Sequence, residues 1–329
     1  MRNTMLDNTE IEKTENNFSV YPSDDVINIR QFLGVLYERK RLITVVTIIF
    51  AVISVLYAIT LPNVYKSEAL LAPADSNNTN GLSSLANQFG GLASIAGIDI
   101  GGQGSSNKVQ IAIEVIKSRK FISEFISVHN ILPDLMAVKT WNSVSNKVIY
   151  DENIYEQSGG KWVRDVVAPF NPEPSMQEAF IVFSDILNVS KDMETGMVKV
   201  SIEHISPFIA KRWVDWLVED INRNMKTRDV IEAKKSTQFL TKQLKVTNIA
   251  DIKSVLYKLI EEQAKVIMFA EVRDEYVFKT IDPAIVPELK FKPKRALICI
   301  LGTFLGGVLS VLFVLYRYYI KESDTSNEI

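Results

Sequence analysis

The stretch LITVVTIIFAVISVLYAITL, residues 42–61, decides the fold, because it runs for 20 residues without a charged side chain. A second stretch, ALICILGTFLGGVLSVLFVLY, residues 296–316, runs for 21 residues without one. Crossing a hydrocarbon core of roughly 30 Å at about 1.5 Å per residue takes about 20 apolar residues. Each stretch therefore predicts one membrane-spanning helix, which places both ends of the chain on the same side of the membrane.

Charges beside the two stretches predict the orientation, since short cytoplasmic flanks keep an excess of Lys and Arg. Basic residues on those flanks are Arg30, Arg39, Lys40, Arg41, Arg317 and Lys321. The basic residues at 290–295 argue the other way, but charges in a long translocated loop have little effect. We therefore expect cytoplasmic termini and an external loop. A cleaved signal peptide is the alternative for the first stretch, but 41 residues precede it and its apolar run is too long.

The predicted organisation has five parts. They are an N-terminal cytoplasmic tail at 1–41, a first transmembrane helix at 42–61, a periplasmic domain at 62–295, a second transmembrane helix at 296–317 and a C-terminal cytoplasmic tail at 318–329. The last tail has no room for an enzyme or a signalling module.

Composition gives little support for catalysis. The net charge of -2 provides no global basic field, so no nucleic acid is expected as a partner. The only cysteine, Cys299, lies in the second stretch, which excludes an external disulfide or thiol nucleophile. The two histidines, His129 and His204, have no neighbouring ligand cluster and are interpreted as ordinary surface or core residues. We expect no catalytic residue, no metal site and no cofactor.

The first part of the external domain combines a strand, a glycine-rich loop and a helix. Residues 64–71 are rich in strand formers and partly alternate, which predicts a strand. Residues 81–104 contain half of the 14 glycines and predict a mobile loop or lid, with contact to a glycan or partner as an alternative. The loop lacks G-x-x-x-x-G-K-[ST], so it is not a phosphate cradle. Residues 107–128 carry an apolar stripe that predicts one helix.

Cap signals and alternation define the next elements. Ser175 and Glu178 have the spacing of a capping box, which predicts a helix to about residue 187. Residues 197–204 alternate apolar and polar side chains and predict a half-buried strand. Another strand is expected at 275–281.

The longest helical signal covers residues 206–271. Ser206 can cap its start and Pro207 suits the first helical position. A break at 247–248 predicts two packed arms, a projecting helical hairpin, and one continuous helix against a globular body is the alternative. Trp213 and Trp216 lie on the apolar stripe, which favours core or subunit packing over stacking on sugars.

Two groups of residues are candidates for coupling and assembly. Pro283, Pro287 and Pro293 give the connector at 282–295 a rigid extended path beside the second span, and its basic residues can contact lipid phosphates. Small residues in the second span form a smooth face on which the first span could pack through Ser54 and Ala58. These small residues are Gly302, Gly306 and Gly307.

The order of these features resembles the Wzz-type chain-length determinants, or polysaccharide co-polymerases, of Gram-negative inner membranes. The likeness runs from the first span and the VYKS strand start at 64–67 to the PKRA sequence at 293–296 and the glycine-bearing second span. It implies an α+β fold: two transmembrane helices flank a periplasmic domain that has a mixed α/β membrane-proximal base and a long protruding helical hairpin. Ring-like homo-oligomers are also implied.

The resemblance further implies a non-enzymatic regulator of the modal chain length of a lipid-linked polysaccharide. Lipopolysaccharide O-antigen made by a Wzy-type polymerase is the expected product, and enterobacterial common antigen, capsule and exopolysaccharide are alternatives. An adaptor of a polysaccharide export pump shares the two-span plan. A two-span periplasmic sensor is a third hypothesis, although only the N-terminal tail could transmit its signal.

Overall fold

The computed structural model describes residues 36–74 and 104–326, which form two compact units, one with the two long apolar helices and one comprising residues 58–295. Residues 1–35 of the tail predicted at 1–41 and most of the glycine-rich segment at 81–104 lie outside the described residues. The helices are α1 (Lys40–Thr60), α2 (Gly104–Lys117), α3 (Arg119–Val128), α4 (Leu132–Met136), α5 (Met176–Ile186), α6 (Pro207–Val246), α7 (Ala250–Val272) and α8 (Arg295–Ser326).

Two of these helices are long and apolar enough to cross a membrane, over Lys40–Thr60 and Arg295–Tyr318. These bounds agree within two residues with the spans expected at 42–61 and 296–317. Most large side chains of both helices are exposed within the chain. Such a surface is typical of a helix that contacts lipid.

In its described residues, the second unit contains eight strands in three sheets. They are β1 (Tyr65–Pro73), β2 (Val138–Asn142), β3 (Lys147–Tyr150), β4 (Tyr155–Glu156), β5 (Lys161–Trp162), β6 (Leu187–Lys191), β7 (Val198–His204) and β8 (Phe278–Asp282). The main sheet is antiparallel with the order β6-β7-β1-β8, and β2-β3 and β4-β5 form two small hairpins.

The strands predicted at 64–71 and 197–204 are confirmed as β1 and β7, which pair from Tyr65 opposite His204 to Leu71 opposite Val198. The third strand begins later than predicted, at Phe278 instead of residue 275. The side chain of Asn222 explains this difference, because its Oδ1 accepts the backbone N–H groups of Val277 and Phe278 at 2.8 and 2.9 Å. At the start of β8, two backbone N–H groups thus donate to a helix side chain.

The single helix predicted at 107–128 was wrong, since the chain breaks at Ser118 between α2 and α3. The Oγ of Ser118 accepts the N–H of Phe121 at 3.3 Å and caps the new helix. The apolar side chains of this second helix follow their own helical phase, so Phe121 lies slightly off the register of the apolar stripe in the preceding helix. Phe121, Ile122, Phe125 and Ile126 are all buried.

The predicted capping box is confirmed at the start of α5. Ser175 Oγ accepts the N–H of Glu178 at 3.2 Å, and the Glu178 carboxylate accepts the N–H of Ser175 at 2.9 Å. Arg164 also binds this carboxylate at 2.7 Å, and its hydrogen bond lowers the pKa of Glu178 to about 2. The helix ends at Ile186, and the chain passes directly into β6.

The break predicted at 247–248 is confirmed, so the alternative of one continuous helix was wrong. Ser206 caps α6 through the N–H of Ile209 at 3.5 Å, and Pro207 occupies its first turn. The 40 residues of α6 extend about 60 Å. Side chains along the first half are buried in the core under the sheet, whereas beyond Met225 Ala233 is the one buried residue of this helix.

Candidate functional site

The two segments that join the domain to the apolar helices meet at the same place. Val64, just after α1, forms an antiparallel bridge with Lys292, just before α8: the N–H of Val64 donates to the Lys292 carbonyl at 2.9 Å, and the N–H of Phe291 donates to the Val64 carbonyl at 2.8 Å. Arg295 adds a side-chain contact to the Asn63 Oδ1 at 3.2 Å. The chain therefore leaves one apolar stretch and enters the other through a shared junction.

The connector at 282–295 is attached at two points to the segment that starts at Val64 and continues into β1. Besides the bridge at Val64, the Oγ of Ser67 donates to the carbonyl of Ile285 at 2.7 Å. Ala284, the residue before Ile285, is buried. The connector forms no regular strand pairing of its own, and its hydrogen bonds with Val64 and Ser67 fix it to the sheet.

The three prolines lie along this connector in different environments. Pro283 is exposed and directly follows β8, whereas Pro287 and Pro293 are half-buried. The Lys292–Pro293 peptide bond is cis. All three are in the irregular part of the connector, consistent with the missing N–H of proline.

Charged and aromatic side chains surround the end of the connector. Lys292 Nζ lies 2.6 Å from the Glu203 carboxylate on β7. The ammonium groups of Lys66 and Lys292 lie 5.3 and 5.4 Å from the centre of the Phe291 ring. Lys290 and Lys294 are exposed and form no ion pair within the described part of the chain.

The structure brings two of the three candidate glycines against α1. A Cβ on Gly302 would overlap the Oγ of Ser54, and one on Gly306 would overlap the Cβ of Phe50, so each permits a close helix approach. Ser54 also donates to the carbonyl of Ile298 at 3.0 Å. Gly307 has more space, with Thr47 Oγ1 at 4.0 Å.

Buried polar contacts anchor the root of the helical hairpin. Asn222 on α6 makes three hydrogen bonds to β8 and the residue before it, the third from its Nδ2 to the carbonyl of Phe278 at 3.0 Å. Lys108 on α2 binds Asp229 on α6 at 2.9 Å and lies 3.9 Å from the centre of the Tyr276 ring. Tyr276 completes the group by donating to Asp229 at 2.7 Å.

An open groove of about 590 Å³ lies between α3 and α6. At one end, His129 Nε2 lies 2.7 Å from Asp220, and the His129 ring stacks on Trp216 with centroids 4.1 Å apart. The half-buried His129 and Asp220 thus pack as a structural pair.

Trp213 lies in the core with 1% of its surface exposed, so the packing role predicted for this tryptophan is confirmed.

His204 is a core histidine. The N–H of Ser206 donates to its Nδ1 at 2.9 Å, which leaves Nε2 to donate to the carbonyl of Asp134 at 2.9 Å. Burial lowers the pKa of His204, because the imidazolium would lose its hydration in the core. In the described residues no group of three or more His, Cys, Asp or Glu side chains could hold a metal ion.

The sequence did not reveal the polar contacts of the junction or of the hairpin root. Asn222 and Arg295 look like ordinary polar residues beside an apolar pattern, and their partners are distant in sequence. A possible signal was the position of Asn222 within the buried stripe of α6, since a buried amide needs partners.

Comparison with known proteins gives two family matches. A family described as "Wzz: Chain length determinant protein" matches residues 25–129, and one described as "GNVR: G-rich domain on putative tyrosine kinase" matches residues 254–319. The two matches lie at opposite ends of the chain, and each includes one apolar helix.

Among solved structures, a full-length bacterial polysaccharide co-polymerase is 12% identical, covering 91% of this chain and 99% of its own, with a TM-score of 0.37. A fragment of WzzB, a polysaccharide co-polymerase from Salmonella Typhimurium, is 9% identical, covering 70% of this chain and 100% of its own, with a TM-score of 0.32. A comparison with curated proteins finds no match.

Proposed function

This chain belongs to the family of Wzz-type polysaccharide chain-length determinants, and on that premise we propose that it sets the modal length of a lipid-linked surface polysaccharide. The product proposed is lipopolysaccharide O-antigen made by a Wzy-type polymerase. The protein acts on this process as a homo-oligomeric scaffold and not as a glycosyltransferase. Family membership and the two apolar helices make it an inner-membrane protein.

One observation supports the scaffold role most directly. The domain is connected to both apolar helices through the junction of Val64 and Lys292. The same domain contains α6, a 40-residue helix that extends about 60 Å. Such a domain can present a long surface to a growing chain or polymerase without a deep catalytic pocket. Weak contacts repeated around a ring of subunits would add through effective concentration.

The outer part of the hairpin supplies a surface for assembly between subunits. Exposed large apolar residues occur on both arms and beside the break: Phe239, Val246, Ile249, Ile252, Tyr257, Met268 and Phe269. Side chains of this kind are enriched where proteins bind each other. They support the homo-oligomer as part of the proposal.

The proposed topology places residues 62–295 in the periplasm and the segments at 1–41 and 318–329 in the cytoplasm. Within it, Pro283, Pro287 and Pro293 couple the sheet to the second span. Gly302 and Gly306 allow the two spans to pack closely, and Gly307 extends that face. A label that cannot cross the membrane should therefore react with a cysteine at Val144, which is 97% exposed.

The experiment that tests the function is deletion of the gene, followed by a gel that resolves lipid-linked surface polysaccharide by single repeat lengths. We expect a clustered length distribution to become an unregulated ladder, and the wild-type chain to restore the cluster. Unchanged lengths with loss of total surface polymer would overturn the proposal in favour of an export adaptor. No change in either would favour a sensor.

A further inference from the structure

The end of the connector carries an unusual combination of side chains on its surface. Leu289 is 85% exposed and Phe291 is 39% exposed, although both are large and apolar. Lys290 and Lys294, on either side of Phe291, are exposed and unpaired among the described residues, whereas Lys292 is paired with Glu203. A short segment thus alternates apolar groups with free cations.

Chain geometry places this segment close to a membrane surface. The N–H of Phe291 is bonded to Val64, which is three residues beyond Leu61, the end of the first apolar stretch. Three residues reach at most about 10 Å. Phe291 is therefore held near the depth at which the headgroup layer lies, whatever the orientation of the rest of the domain.

From these observations we propose that the end of the connector, residues 289–294, is a docking site for anionic phospholipid headgroups. Leu289 and Phe291 enter the boundary between headgroups and acyl chains, while the ammonium groups of Lys290 and Lys294 bind lipid phosphates. Aromatic and apolar side chains gain free energy in this layer, and lysine keeps its charged end at the phosphates.

Phospholipid suits this surface better than a second protein copy or a free glycan. Two exposed, unpaired ammonium groups attract an anionic partner. The headgroup layer supplies phosphates next to acyl chains, just as the segment presents cations next to apolar side chains. The connector is also attached to Ser67 of β1 and to Val64 just before this strand, so its side chains are presented from a fixed backbone. The proposal requires α8 to cross a membrane and does not depend on length control.

The depth of the segment can be measured because the chain has one native cysteine. In a Cys299→Ser background, Leu289→Cys and the control Val144→Cys each take one nitroxide label, in full-length protein in nanodiscs that contain phosphatidylcholine and phosphatidylglycerol. We expect the label at 289 to collide with oxygen more than with a water-soluble nickel chelate, and the label at 144 to show the reverse. Equal exposure of both labels to the nickel chelate would overturn the proposal.

The choice of anionic lipid is tested with the double substitution Lys290→Gln and Lys294→Gln. Spin-labelled phosphatidylglycerol should lose its preference over phosphatidylcholine at the protein by about fivefold for each lysine removed. The matched control is Lys234→Gln with Lys235→Gln, two exposed lysines on α6, which should leave the preference unchanged.

Three results would overturn this second step. They are an unchanged lipid preference in the Lys290 and Lys294 variant, a preference only for a polyprenyl diphosphate, and shielding of the 289 label in detergent that rises with protein concentration. The last of these would identify a second copy of the chain as the occupant.

Discussion

The first half of α6, through Met225, and its second half differ in what covers them, although they form one helix. The first half buries an apolar stripe that includes Trp213, Leu217 and Ile221 in the core under the sheet. The second half buries only Ala233 and has α7 as its neighbour. Burial therefore divides the domain into a base that has its own hydrophobic core and an outer hairpin that buries few side chains.

This division has a consequence for stability. Each buried large apolar side chain contributes about 1.5–3 kcal/mol relative to an exposed one, so the base has a core of its own. The outer hairpin has half-buried residues such as Leu256 and Leu259 on α7 but few fully buried ones. It should open locally at a lower free energy than the base unfolds.

The largest expected effect is from Trp213→Ala in the base. The ring is 1% exposed and lies 5.9 Å from Phe183 and 5.0 Å from His204 between centroids, so the substitution leaves a large cavity. We expect a loss of about 4 kcal/mol. The measurement is chemical unfolding of the full chain in detergent.

The matched control is Ile231→Ala on the outer half, where the side chain is 50% exposed and lies outside the proposed assembly surface. It should change the unfolding free energy by about 0.5 kcal/mol or less. Equal losses for the two variants would contradict the division of α6 into a buried and an uncovered half.

A second prediction concerns the buried amide at the root of the hairpin. Asn222→Ala would leave the N–H groups of Val277 and Phe278 and the carbonyl of Phe278 without their side-chain partner. We expect a loss of about 3 kcal/mol and faster hydrogen exchange in β8. Asn224→Ala, at a half-buried position two residues further along, is the control and should change neither quantity measurably.

Local signals were enough to predict the caps of α5 and α6, the strands β1 and β7, and the break in the hairpin. Ser175 with Glu178, and Ser206 with Pro207, act through neighbours within three residues, so their chemistry is visible in the sequence. The junction is different, because Val64 and Lys292 become neighbours only after the whole domain has folded. Long-range pairs of this kind cannot be derived from periodicity.

The candidate residues show the same limit. Glycine spacing predicted a smooth helix face, and the structure places Gly302 and Gly306 against α1. The coupling role of Pro283, Pro287 and Pro293 stays a prediction, because an extended backbone can be inferred from proline but its partners cannot. The apolar stripe alone predicted one helix through residue 128, but in the structure the single residue Ser118 separates two helices.

The smallest expected effect is a pH dependence that belongs to the base. Burial lowers the pKa of His204 below its usual value of 6.5, so the unfolded chain binds a proton at a higher pH than the folded chain does. The contribution of neutral His204 is therefore fully present above pH 6.5 and is lost as the pH falls from 6.5 towards the lowered pKa. We expect the thermal unfolding midpoint of the base to fall in that range.

His204→Gln separates this effect from other titrations, because glutamine does not titrate. Its side-chain oxygen can accept from the N–H of Ser206, although the geometry is less favourable than for Nδ1. The variant should be less stable at pH 7 but should lack most of the fall below pH 6.5. A fall of the same size in both proteins would show that His204 is not its source. In the wild-type protein, hydrogen exchange should locate the acid-sensitive amides at the start of α6, where Ser206 contacts His204 and caps the helix, and not in the outer hairpin.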